Sequence, residues 1–128
     1  MKLEVYQIDA FTGKNFYGSP ACIVLLKNWL DDNKLLEIAK HNGVPETAFI
    51  KIEQNYFHIR WFTPEIEMDL CGHATLAAAH FIKNILNHSK NHIKFKSCSG
   101  ELNVTLKNKK YSLDFPKRMP IKSDLPKI

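Results

Sequence analysis

Paired cysteines are missing from this sequence: Cys22, Cys71 and Cys98 are its three cysteines, and no two form a CxxC unit. That absence argues against a disulfide framework and a structural zinc knot, so the thiols are read as reduced. Also missing is an apolar run long enough to cross a membrane. The start, MKLEVYQIDAF, carries charge early, so neither a signal peptide nor a membrane span is expected, and the cytoplasm is the expected compartment. No basic run is interleaved with aromatic residues, although the chain holds 18 Lys and Arg and a formal charge of +5. Those charges are dispersed and richest toward the C-terminal third, as in Lys107-Asn108-Lys109-Lys110. They are read as a solvated surface rather than a nucleic-acid face.

What remains is an ordinary globular composition, with 45% hydrophobic and 24% charged residues and eight Phe over 128 residues. One domain with its own core is the expectation.

Residues 3–11 and 21–26 are rich in β-branched and aromatic residues and are read as strands, separated by the turn-forming stretch TGKNFYGSP. Asp31-Asp32 suits the start of an amphipathic helix with Leu35, Leu36, Ile38 and Ala39 on one face, ending near Asn42-Gly43. Residues 46–53 and 56–63 are expected to form a hairpin around Gln54-Asn55. From Gly72 to about Leu86, apolar residues cover nearly the whole helical circumference, which predicts a buried helix. Alternation then resumes in Ile93/Phe95, Leu102/Val104/Leu106 and Tyr111/Leu113/Phe115, giving three antiparallel strands. The stretch PKRMPIKSDLPKI has three prolines and no apolar period, so 117–128 is assigned to a linker or tail and 1–116 to the domain. The predicted architecture is α+β: a mixed, largely antiparallel sheet wrapped around one buried central helix.

Chemistry concentrates in DLCGHATLAAAH. A helix beginning at Gly72 presents free backbone N–H groups and its positive dipole end, a ready site for a carboxylate, and glycine permits close approach. His73 is placed to donate a hydrogen bond or shuttle a proton, or else is a plain helix-end histidine. His80 is read as a packed core histidine without a catalytic role. Cys71 and His73, two apart, lack further ligands at suitable spacing, so no metal is expected. From pattern alone, Glu46 is a solvent-facing strand start.

The stretches VYQIDAFTGKNFYGSPACIVL, GVPETAF and IRWFTPEIEMDLCGHATLAAAH resemble, in order and spacing, successive motifs of the PhzF-like phenazine-biosynthesis isomerase family. The resemblance runs from about Leu3 to Pro116. It implies one half of a diaminopimelate-epimerase-like fold, in which two similar halves each wrap sheet around a helix and the active site lies between them. It further implies a cofactor-independent isomerase that moves a proton at carbon of a small carboxylate substrate. Glu46, in PETAF, falls on the family's proton-transferring glutamate, and Ala48-Phe49-Ile50 offers the apolar surroundings that raise a carboxyl pKa. Gly72 and His73 fall on substrate-binding positions, as does Ser19, although the family usually reads Gly-Asn-Pro-Ala where this chain reads YGSPA. Related racemases use a cysteine at the place of Cys71 as a base; the accompanying glutamate points instead to a small packed residue here.

Two-domain members of that family are roughly twice as long. The resemblance therefore implies that a second half, from a homodimer or a separately encoded polypeptide, completes the site, and that the isolated chain is weak or inactive. The alternative is a truncated, non-catalytic remnant or small-molecule binding module. Neither nucleic acid nor a membrane is an expected partner.

Overall fold

The computed structural model describes residues 2–13 and 16–115, with residues 10–13 and 16–18 as backbone alone. Among these, β1 spans Val5–Gly13, β2 Phe16–Leu26, α1 Asp32–Asn42, β3 Glu46–Ile52 and β4 Phe57–Phe62. They are followed by β5 Glu67–Met68, α2 Gly72–Asn84, β6 His92–Ser97, β7 Gly100–Lys107 and β8 Lys110–Asp114. The strands form one sheet in the order β1-β2-β3-β4-β6-β7-β8, with β5 hooked onto β4. The β2–β3 and β4–β6 pairings are parallel and the rest antiparallel. Since α2 packs against β1, β2, β3 and β8, both ends of the sheet reach the same helix, and the sheet curls into a half-barrel. The α+β class and the mixed sheet are thus as expected.

The period of two along the strands sorts the core into two faces. Ala21, Ile23, Ala48, Ile50, Ile59, Trp61, Ile93, Phe95, Leu102 and Val104 point inward. They meet Ala74, Ala77, Ala78, Phe81 and Ile82 of α2. The intervening residues Val24, Leu26, Phe49 and Phe62 pack on the outside against Leu35 and Ala39 of α1. Asp31 caps α1, its Oδ1 accepting from the Lys34 N–H at 2.8 Å, and Gly43 stops it with φ 69°. That positive φ is where glycine lacks the steric penalty of other residues.

Three expectations are revised or lie elsewhere. The stretch read as a turn between the first two strands is mostly ladder, with paired residues from Ala10↔Ser19 to Gly13↔Phe16. Backbone pairing across the hairpin overrides the local turn preference of Gly13, Ser19 and Pro20. His80 is exposed rather than packed in the core. Its Nδ1 lies 3.2 Å from the Tyr111 hydroxyl and 3.1 Å from Asn84 Nδ2. His73, Leu76, His80 and Asn84 share one stripe of α2, and this stripe is at most partly covered while seven other residues of the helix are buried. The expected linker or tail at 117–128 lies outside the described residues.

Phe95 is fully buried on the inner face, whereas Ile52 is 55% exposed. Phe95→Ala is expected to cost about 3–5 kcal/mol and Ile52→Ala no more than about 0.5 kcal/mol, read as urea midpoints with unchanged slopes.

Candidate active site

Strand parity places the acid. Glu46 begins β3 on the same face as Ala48 and Ile50, opposite Ala21 of β2, and is 7% exposed. The solvent-facing reading from pattern alone therefore gives way to a buried carboxyl. Asn42 Nδ2, at the end of α1, donates to Thr47 Oγ1 at 3.1 Å and ties the start of β3 in place.

The entry to α2 is fixed as firmly. Arg60 on β4 grips Glu67 of β5 through Nε at 2.7 Å and Nη2 at 2.8 Å, and Nη2 also reaches Asp32 Oδ1 at 2.8 Å. Two parallel N–H···O bonds to one carboxylate hold direction as well as distance. Ser99 Oγ donates to the Asp69 carbonyl at 2.7 Å. Thr75 Oγ1 donates to the Cys71 carbonyl at 2.7 Å while accepting from Trp61 Nε1 at 3.0 Å. Anchored in this way, Cys71 comes to lie near Glu46, with His73 against Cys71.

Cys71 is the N-cap of α2, and its Sγ stands 3.3 Å from His73 Nδ1. The Cys71 side chain makes no capping hydrogen bond to the first turn of the helix, and the thiol and the Glu46 carboxyl lie close enough to shift each other's titration. Two polar atoms, Glu46 Oε2 and His73 Nε2, are buried without a hydrogen-bond partner among the described residues. Such groups carry an unrelieved desolvation cost.

Burial governs the titration of all three groups. It raises the Glu46 pKa above the ordinary glutamate value, with the Cys71 hydrogen bond pulling the other way. It pushes the Cys71 thiol up to about 12, helped by the Glu46 charge and opposed by the backbone N–H groups of Ala74 and His73. It lowers the His73 pKa, partly countered by the Pro20 carbonyl. At neutral pH the thiol keeps its proton and the imidazole is uncharged. A thiol in this state is no carbon base, since the thiolate is the reactive form.

Of the other sequence candidates, Gly72 lies between the two contacting side chains. A Cβ built there would stand 3.0 Å from Phe115 Cζ, so the Phe115 ring rests on the first turn of α2. Ser19 is half-buried on β2, next to Pro20, whose carbonyl faces His73. Sequence reasoning missed the Pro20 carbonyl and the contact of Cys71 with His73. The one available signal was Thr75, four residues after Cys71 and suited to bond back onto its carbonyl. Among the described residues no group of three or more His, Cys, Asp or Glu could hold a metal ion, and no helix is long and apolar enough to cross a membrane.

Comparison with known proteins places the chain in a family. Residues 8–126 match the model of the phenazine biosynthesis-like protein family. An uncharacterized isomerase of Pseudomonas aeruginosa is 42% identical over 120 residues, covering 94% of this chain and 46% of the relative. A phenazine biosynthesis-like domain-containing protein of Bos taurus is 43% identical over 128 residues, covering 91% and 43%. The chain therefore spans about half the length of the curated relatives it matches. A crystal structure of a PhzF-family phenazine biosynthesis protein from Enterococcus faecalis superposes with TM-score 0.84 at 42% identity, covering 94% of this chain and 48% of that one. A predicted epimerase of Pseudomonas aeruginosa shares the fold, with TM-score 0.68 at 22% identity.

The raised Glu46 pKa has a sign that can be checked. The folded state binds the carboxyl proton more tightly than the unfolded chain, so the contribution of Glu46 is favourable below the unfolded pKa of about 4.3 and fades as pH rises through the folded value. Glu46→Gln is expected to raise the urea midpoint at pH 7 and to leave it nearly unchanged at pH 3. An equal shift at both pH values would contradict the assignment.

Proposed function

The chain belongs to the phenazine biosynthesis-like protein family, and we propose that it forms one half of a cofactor-independent isomerase acting on a small carboxylate substrate. The observation that carries this reading is the buried Glu46 carboxyl, whose Oε2 has no partner among the described residues. The isomerases among its relatives support the reaction type.

In this reading Glu46 Oε2 takes a proton from a carbon of the substrate. The C–H bonding pair passes into the conjugated system toward the substrate carboxylate, and the proton returns from Glu46 to a second carbon, so nothing is oxidised or lost. A raised pKa suits both steps, because the group that removes the proton must also give it back. The substrate carboxylate sits at the first turn of α2 near Gly72 and His73, where the helix dipole favours negative charge. Ser19 offers a hydroxyl from the neighbouring strand.

A second half completes the enzyme and covers α2, making it the central helix of the whole. The stripe of His73, Leu76, His80 and Asn84, left at most partly covered by the described residues, supports this. The partner is a second copy of this chain or another polypeptide with the same fold. Without it the cleft is open to water, and charge developing on the substrate lacks the dry, preorganised surroundings that make carbon acids react quickly. A non-catalytic remnant or binding module of the same fold is the second reading.

Solvent deuterium incorporation into cyclic and amino-acid-like carboxylates, measured beside sedimentation of the chain, separates these readings. A dimer that exchanges supports self-completion. A monomer that exchanges only when a second half is added supports a separate partner, and a monomer that exchanges alone overturns the need for one. Absence of exchange in every assembly supports the remnant. In the active assembly, Glu46→Gln is expected to slow exchange about 10²- to 10⁴-fold, and an unchanged rate rejects Glu46 as the acid/base.

A further inference from the structure

We propose that Trp29 and His58 form a pH-sensitive clasp: with His58 neutral, the Trp29 indole N–H locks the connection between β2 and α1 onto the outer face of β4, and protonation of the His58 ring releases it. The clasp lies on the opposite face of the sheet from Glu46, so it stands independently of the isomerase reading.

Strand parity places the parts. Ile59 and Trp61 point inward from β4, so His58, Arg60 and Phe62 lie on its outer face, where Trp29 and Leu30 pack against the smaller core. Trp29 Nε1–H donates to His58 Nδ1 at 3.0 Å, and the two rings meet edge to face, with centroids 4.9 Å apart and planes at 80°. An indole nitrogen can only donate, so Nδ1 carries the lone pair and the ring proton sits on Nε2. A proton added to Nδ1 removes the acceptor and sets two N–H groups against each other. Arg60 completes the clasp: its guanidinium lies 5.4 Å from the Trp29 ring centroid, and Nη2 reaches Asp32 Oδ1 in the first turn of α1 at 2.8 Å. An imidazolium at His58 would meet mostly like charge. Around it stand Lys51 and Glu53, which pair with each other, Arg60 on its own strand, and Lys96, opposite it in the β6 register. Asp32 and Glu67, the carboxylates from α1 and β5, are both held by Arg60. Burial lowers the His58 pKa, Glu53 opposes this in part, and Arg60 and Lys51 lower it further. The folded state therefore binds this proton less tightly than the unfolded chain. The clasp contributes fully above the unfolded value of about 6.5 and is lost as pH falls through the folded value.

The chain holds two tryptophans, and the second serves as an internal control. Trp61 Nε1–H donates at 3.0 Å to Thr75 Oγ1, a hydroxyl that does not titrate between pH 7.5 and 4. The test follows both indole N–H signals of the ¹⁵N-labelled 128-residue chain over that range, Trp29 being the signal lost in Trp29→Phe. The expected result is that the Trp29 signal moves upfield, toward an unbonded indole, in step with the His58 ring and with a midpoint below about 6.5, while the Trp61 signal stays in place. His58→Gln, whose amide oxygen accepts the same bond and does not titrate, holds the Trp29 signal still. A Trp29 signal that stays as His58 titrates overturns the proposal, as does one that still moves in His58→Gln. Two indole signals that change together would report general unfolding and would also overturn it. Should either variant fail to fold, the unaltered chain decides through the scalar coupling between Trp29 Nε1 and His58 Nδ1, which identifies both residues at once. That coupling is expected at pH 7.5 and lost once the ring is protonated; its absence at pH 7.5, or an Nδ1–H form of His58 there, overturns the clasp.

Discussion

A β-strand sends alternate side chains to opposite faces, and the register of β3 that buries Ala48 and Ile50 against α2 carries the Glu46 carboxyl inside with them. A one-residue slip would put Phe49 inward and Glu46 in the outer layer, so the hydrophobic alternation of the strand and the placement of its acid are one constraint. Much of the rest of the molecule serves this arrangement. The inner core fixes the register, α1 and its Asn42 contact hold the strand start, and the Arg60–Glu67 grip and the Ser99 and Thr75 bonds deliver the head of α2 to the carboxyl.

Two tendencies meet at the head of α2. A helix N-terminus ordinarily lowers the pKa of a nearby thiol, while an apolar interior raises it. Here burial and the neighbouring Glu46 prevail, and Cys71 remains a protonated donor rather than a thiolate. The same interior keeps His73 neutral and makes Glu46 a weaker acid than glutamate in water. A site that moves a proton at carbon needs this set: a base strong enough to accept, neutral neighbours, and little bulk water.

Much of the fold was legible because local and long-range signals agreed. Asp31 and Gly43 bracket α1 through capping and αL chemistry, and Gln54-Asn55 turns β3 into β4 within a residue or two of the expected bounds. Legibility failed where tertiary contacts decide. The ladder of β1 and β2 extends through residues whose own preference is a turn. His80 lies on the stripe of α2 that the described residues leave open, and its surrounding apolar sequence could not reveal this. At the site, the identity of Glu46 came from a motif, but its burial follows from strand parity. The 3.3 Å contact between Cys71 and His73 is one that spacing alone does not specify.

The account stands or falls on whether Glu46 is held as a reluctant acid by its surroundings. The most direct measurement is a ¹³C NMR titration of the Glu46 side-chain carboxyl in the folded chain, with Glu46→Gln identifying the signal. The predicted result is a midpoint clearly above the ordinary glutamate value of about 4.3. A midpoint at that value or lower would mean that the carboxyl is solvated or paired, and would contradict the proton-transfer role built on it.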